Sequence, residues 1–172
     1  MPANRWVDIV AKANGYEAVN LGRGGTGYFA ASDIDGCGLK FCANYLTMVE
    51  SIDPSTDVVI VAGGQNDVVQ FTANPQSVTD AIQATYTALR VALPDAEIIA
   101  VGPSTPGAIS PEMGAFDQAV RTSAANAGAR YVSMLAPPVL SPELLSDDGV
   151  HPNDAGHAAI AAQYLASIPP VV

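Results

Sequence analysis

The stretch TDVVIVAGGQND, residues 56–67, decides the fold class. Its run Val58-Val59-Ile60-Val61 is apolar and β-branched and ends at Gly63-Gly64, the pattern of a strand buried on both faces, as parallel sheets require. Downstream, Val78, Ile82, Tyr86, Leu89 and Leu93 recur at helical spacing between Pro75 and Leu93, with Asn74 suited to cap the start and Pro94 to stop the end. AEIIAVGP (96–103) then reads as a second buried strand. A helix opened by Ser110-Pro111-Glu112 and running to about Gly128 follows, and ARYVSML (129–135) reads as a third strand. The last helix is expected from Asn153, its cap, to about Ser167.

Upstream, Asn4 or Pro2 can start a helix that places Trp6, Ile9, Val10 and Ala13 on one face and ends at Gly15. EAVNLG (17–22) reads as a short strand, the glycine-rich stretch from Gly22 to Gly38 as a loop, and ANYLTMVESI (43–52) as helical. Alternation of strand and helix predicts an α/β domain of three layers, α/β/α and flavodoxin-like. Its mainly parallel sheet is joined by right-handed crossovers, and residues 1–172 form a single domain. A chain of 172 residues fits one core that buries roughly 70% of the unfolded surface.

With 49% hydrophobic and 14% charged residues the chain is globular, and no run approaches the ~18 apolar residues of a membrane span. A net charge of −10 with 7 Lys plus Arg argues against a nucleic-acid backbone or an anionic membrane surface as partner, since both need clustered cations. Cys37 and Cys42 in CGLKFC suit either a small disulfide loop or a reduced pair of small apolar side chains, and no Cys/His cluster suggests a metal. The N-terminus lacks the pattern of a signal peptide, which leaves both a secreted and a cytoplasmic location open.

In open parallel sheets ligands bind beyond the carboxyl ends of the strands. Three segments stand there: Gly22-Arg23-Gly24-Gly25, Gly64-Gln65-Asn66-Asp67, and Asp148-Gly149-Val150-His151 before the last helix. Singly, each has a plain structural reading as a turn, a helix cap or a surface loop. Together they supply free backbone N–H groups, a polar amide and an Asp/His pair, the parts that stabilise an oxyanion and move a proton.

In this order the segments resemble the SGNH hydrolases, the GDSL-type esterase and lipase family, over nearly the whole chain. NLGRGG matches the family's Asn-x-x-x-x-Gly block and GQND its Gly-x-Asn-Asp block, so the resemblance implies that Gly25 N–H and the Asn66 side chain form the oxyanion hole. DGVHP matches Asp-x-x-His-Pro, which implies His151 as base and Asp148 as its orienting carboxylate. His157, with Asp154 three residues before it, is expected at the surface of the last helix. The implied activity is hydrolysis of small carboxylic esters or acetylated sugars by Ser-His-Asp logic, with no metal or organic cofactor.

The family's Gly-Asp-Ser segment, which carries the nucleophile after the first strand, has no counterpart in residues 1–172. Its strand would lie between AVN and VVIVA. Each large aliphatic side chain missing from such a strand forfeits about 1.5–3 kcal/mol, against a domain stability of about 5–15 kcal/mol. Four readings follow: an esterase truncated at its N-terminus, a short form that closes its sheet as a homodimer or by strand exchange, an inactive pseudoenzyme that binds esters or acetylated sugars, or a chain that recruits another serine. Ser32 and Ser104 are the nearest recruits, both expected to hydrogen-bond within their own loops. His151 with Asp148 can also activate water directly.

Overall fold

The computed structural model describes residues 5–168. They divide into two compact units, one made of the chain's two ends with residues 104–109, the other of residues 21–103 and 110–131.

The second unit carries the sheet except for its last residue, Val132. β1 (Val58–Ala62) and β2 (Glu97–Val101) run parallel with Val58 opposite Glu97 and Ala62 opposite Val101, and β3 (Arg130–Val132) follows on the far side of β2. β2 lies between two strands, and Ile98, Ile99, Ala100 and Val101 are all buried. In β1, by contrast, only Val59 is buried, so the expectation of burial on both faces fails there. The reason is position: β1 is an edge strand, and no strand among the described residues takes its second edge.

The crossover from β1 to β2 runs through a short helix, α4 (Val68–Ala73), and the long α5 (Pro75–Ala92). Asn74 caps α5 by accepting the Ser77 N–H, and Val78, Ile82, Tyr86, Leu89 and Leu93 all turn inward as their spacing predicts. α6 (Pro111–Asn126) is capped by Ser110, which accepts the Met113 N–H, and buries Phe116, Val120 and Ala124. These side chains, with Tyr28 and Phe71, form one core against Ile98 and Ala100. The Tyr28 and Tyr86 hydroxyls satisfy each other within it at 2.6 Å. Ahead of the sheet, α2 (Ile34–Cys37) and α3 (Tyr45–Met48) are single turns, α3 continuing as a 3₁₀ turn, Val49–Ser51.

In the first unit α1 (Trp6–Asn14) packs on α7 (Asp154–Ser167). Val10 and Ala11 are buried on one helix, Ile160, Ala161 and Tyr164 on the other, and the Trp6 and Tyr164 rings lie 6.1 Å apart. Ala13, expected on the inner face, is exposed instead. Gly15 ends α1 in the left-handed conformation that L side chains avoid, with φ at 69°. The expected starts at Pro2 or Asn4 lie outside the described residues. EAVNLG forms no strand: Val19 is 82% exposed, and without a neighbour to complete a ladder its β-branched side chain holds nothing in place.

Candidate active site

The first unit holds the Asp/His pair. Leu145 and Pro152 form an isolated bridge that closes the loop before α7, and Asn153 locks its base by donating to the Glu143 and Leu145 carbonyls while accepting the Gly156 N–H. Within this loop one oxygen of Asp148 accepts the backbone N–H groups of Val150 and His151 at 2.8 and 2.9 Å, and its other oxygen meets His151 Nδ1 at 2.8 Å. These bonds, the His151 N–H foremost and then its ring and the Val150 N–H, pull the Asp148 carboxyl down to about 2. The His151 side chain is 78% exposed and borders an open cleft of about 600 Å³, shared with Arg5, Ser146, Asn153 and His157.

His157 departs from its expected place. It is half-buried, and its Nδ1 accepts the Trp6 N–H at 3.3 Å, satisfying one of the donors that the first turn of α1 leaves without an intrahelical partner. Burial lowers its pKa, as does Arg5 to a smaller degree, while Asp154 and Asp8 oppose them. A ring nitrogen that accepts a hydrogen bond must be unprotonated, so the cap and the lowered pKa agree.

The second unit holds the glycine loop and the amide. Gly25 takes φ of 70°, and a Cβ there would stand 2.3 Å from the Ser32 hydroxyl oxygen, so only glycine fits. Asn66 donates from Nδ2 to the Thr26 carbonyl at 2.8 Å, which ties the GQND segment to the glycine loop one residue from Gly25. A primary amide has two such hydrogens, and this bond orients the group while using one.

Asp67, which the sequence marks only as half of a cap motif, is fully buried and fixes the loop from below. Its carboxylate accepts the N–H groups of Tyr28 at 2.7 Å, Phe29 at 3.1 Å and Ala30 at 2.8 Å. Burial raises its pKa, and those three bonds work against the rise. Gly27 must be glycine for the same reason, since a Cβ would stand 2.3 Å from the Asp67 carboxylate.

Ser32 pairs through its backbone with Cys42, N–H to carbonyl in both directions, and Cys42 is disulfide-bonded to Cys37. Of the alternatives for the two cysteines, the disulfide is the one found. Ser104 lies in the other unit, so the two serine candidates stand on different supports. Among the described residues no cluster of His, Cys, Asp and Glu suits a metal ion, and no helix is long and apolar enough to cross a membrane.

The sequence model of the GDSL-like lipase/acylhydrolase family matches residues 2–159. The chain belongs to that family. Its Asp-x-x-His-Pro and Gly-x-Asn-Asp blocks both fall within the matched span. A curated relative, GDSL lipase Rv0518 of Mycobacterium tuberculosis, is 32% identical over 114 residues, which are 64% of this chain and 49% of that protein. The chain therefore aligns with about half the length of this relative. Among solved structures, a Lactobacillus plantarum protein superposes with a TM-score of 0.75 at 19% identity, covering 98% of this chain and 90% of that one. The psychrotrophic esterase EstA of a Pseudoalteromonas species, solved in a form inhibited by monoethylphosphonate, superposes with a TM-score of 0.65 at 14% identity, covering 95% and 85%. Likeness at that identity establishes the α/β fold with its parallel sheet.

Proposed function

We propose that this chain is a carboxylic ester hydrolase in which His151 moves the proton, Asp148 orients and steadies the imidazole, and the Gly25 N–H and Asn66 amide receive the oxyanion. The observation that carries this reading is the 2.8 Å bond from His151 Nδ1 to Asp148, a carboxylate already fixed by two backbone N–H groups. With Nδ1–H committed to the carboxylate, the lone pair lies on Nε2, on an exposed ring where a nucleophile can deliver its proton. Family membership and the name of the curated lipase support esters of carboxylic acids as the substrate class, small esters or acetylated sugars among them.

In the reaction, a nucleophilic oxygen bonds to the ester carbonyl carbon as its proton passes to Nε2, and the carbonyl oxygen becomes the oxyanion. Collapse breaks the bond to the alcohol, which leaves with the proton that Nε2 returns; where the nucleophile is a serine, a water then attacks the acyl carbon, gives its proton to Nε2, and the serine oxygen takes that proton back as the acid departs. Residues 1–172 contain no Gly-Asp-Ser segment; within them, a water held at His151 or a serine outside that motif can supply the nucleophilic oxygen. The second reading is a module that binds small esters or acetylated sugars without turning them over.

Hydrolysis of p-nitrophenyl acetate separates the two readings. On the first, Asp148→Asn lowers kcat by about 10²–10⁴-fold through loss of the correct tautomer and of the anion, and Asn66→Ala by about 10²–10³-fold. A chain that binds acetate esters yet hydrolyses them no faster than buffer, even with a Gly-Asp-Ser strand restored ahead of it, is the binding module.

A further inference from the structure

We infer that Tyr45 is a positioning residue that sets the Asn66 amide relative to the Gly25 N–H, an assignment that rests on the reading of these two groups as oxyanion donors. Tyr45 is the first residue of α3, placed there by Asn44, whose side chain accepts the Thr47 N–H at 3.1 Å. Its own N–H, which a first helical turn leaves without an intrahelical partner, donates to the Gly27 carbonyl at 2.9 Å. Its hydroxyl donates to the Ala62 carbonyl at 3.3 Å, at the end of β1. One residue therefore grips the glycine loop just beyond Gly25 and the strand end just before Asn66.

The backbone between Ala62 and Asn66 needs such a grip. Gly63 and Gly64 take φ of 134° and 100°, and neither has a side chain that could anchor the turn. Rings from elsewhere fill the space instead. A Cβ on Gly63 would stand 2.4 Å from the Tyr45 hydroxyl oxygen, and one on Gly64 would stand 2.5 Å from the Phe116 ring. Phe116 offers only van der Waals contact, so of these two rings Tyr45 is the one that adds a hydrogen bond. The Tyr28 ring backs it from the core, edge-on at 5.0 Å, but the Tyr28 and Tyr86 hydroxyls are committed to each other. Of the three tyrosines, Tyr45 alone turns its hydroxyl to the strand end.

Asn66 reaches the glycine loop by a bond of its own, from Nδ2 to the Thr26 carbonyl. That bond fixes the amide at one end, while the Gly63–Gly64 backbone can still swing the residue about it. The Tyr45 hydroxyl removes this freedom. A misplacement of about 1 Å at a reacting centre costs about a hundredfold in rate, and Phe116 still supports the turn when the hydroxyl is gone, so its loss is expected to cost about tenfold. Burial, and to a smaller degree Asp67, push the Tyr45 phenol up to about 12 against the pull of the Gly64 N–H, so the hydroxyl keeps its proton at neutral pH and remains a donor.

The test uses Tyr45→Phe, which removes the hydroxyl and keeps the ring and the N–H to Gly27. With p-nitrophenyl acetate, kcat should fall about tenfold with KM unchanged, because the donors are engaged by the developing oxyanion rather than by the bound ester. The pH dependence of kcat keeps its shape, since this hydroxyl moves no proton. In an Asn66→Ala background the same substitution should cost less than about twofold, because a residue that acts through Asn66 then has nothing left to position. Losses that multiply, or a kcat that Tyr45→Phe leaves as it was, overturn the assignment. Amide hydrogen exchange gives a reading that needs no turnover. The Asp67 N–H, bonded to the Gly64 carbonyl at 2.9 Å, reports on the turn, and the amides of the buried residues Ile98 to Val101 report on the core. In Tyr45→Phe the Asp67 N–H should exchange about tenfold faster and the β2 amides at their former rate. Acceleration of both alike, or of neither, overturns the assignment, since the hydroxyl would then serve the whole fold or nothing. If the intact chain turns over no ester, the hydrolytic reading fails by itself, and the exchange rates still decide whether Tyr45 holds the turn that presents Asn66.

Discussion

Replacing Asp67 by alanine tests how the glycine loop is held. The carboxylate is fully buried and is the common acceptor for the N–H groups of Tyr28, Phe29 and Ala30. Removing it leaves those donors without an acceptor, the Tyr28 N–H in the core and the other two half-buried. Each buried orphan costs about 1–3 kcal/mol, and water can reach the partly buried ones at lower cost. The sum is about 3–5 kcal/mol, a large part of the ~5–15 kcal/mol that holds a domain together. Asp67→Asn retains one carbonyl oxygen for Phe29 and Ala30 and relieves the cost of burying a charge, but sets an NH₂ group against the Tyr28 N–H. About 1–3 kcal/mol is expected for it. Urea unfolding followed by circular dichroism reads both values, provided the slope with denaturant is unchanged. A loss below about 1 kcal/mol for Asp67→Ala would refute the reasoning, because it would mean that the three amides find other partners and that Asp67 does not set the loop.

Gly25→Ala combines a left-handed backbone with a Cβ driven against the Ser32 hydroxyl, so a loss of about 1–3 kcal/mol in urea unfolding is expected, and Gly25→Ala with Ser32→Gly should recover the part due to contact. His157 accepts the Trp6 N–H, and its pKa is held below the ordinary 6.5 by burial and Arg5 against the pull of Asp154 and Asp8. The folded state then binds fewer protons than the unfolded one, so this contribution is complete above pH 6.5 and is lost as pH falls through the depressed folded value. Thermal unfolding at pH 7.5 and 5 should show the loss, and His157→Gln, which still offers an acceptor, should show less of it. β1 presents an apolar, β-branched edge that no strand among the described residues covers, and we propose that a second copy of the chain can close it, as a homodimer or by strand exchange. Sedimentation of a compact monomer at every concentration would remove that expectation.

What the sequence made legible was local. Asn74, Ser110 and Asn153 each accept the N–H three residues on, and the inward face of α5 follows its spacing without exception. Asp148 and His151 meet because three residues of loop suffice to bring them together. What stayed hidden depends on partners far along the chain. Nothing around Asp67 announces that residues 28–30, some 37 to 39 positions earlier, will bring it three N–H groups. His157 looks like a surface residue until α1 delivers Trp6 from 151 positions away. EAVNLG has the composition of a strand, but a strand exists only where a neighbour completes its ladder, and Val19 is left in solvent. The α4 helix escaped notice because six residues are too few to show a period.

The most direct measurement is the rate of p-nitrophenyl acetate hydrolysis by the purified chain beside His151→Ala, each against buffer, with circular dichroism to establish that both are folded. His151 is exposed, so its loss should leave the fold intact. The account predicts turnover above buffer by the intact chain, falling by at least a hundredfold in His151→Ala. Equal rates above buffer for the two proteins would contradict it, since the proton would then be moving without this histidine.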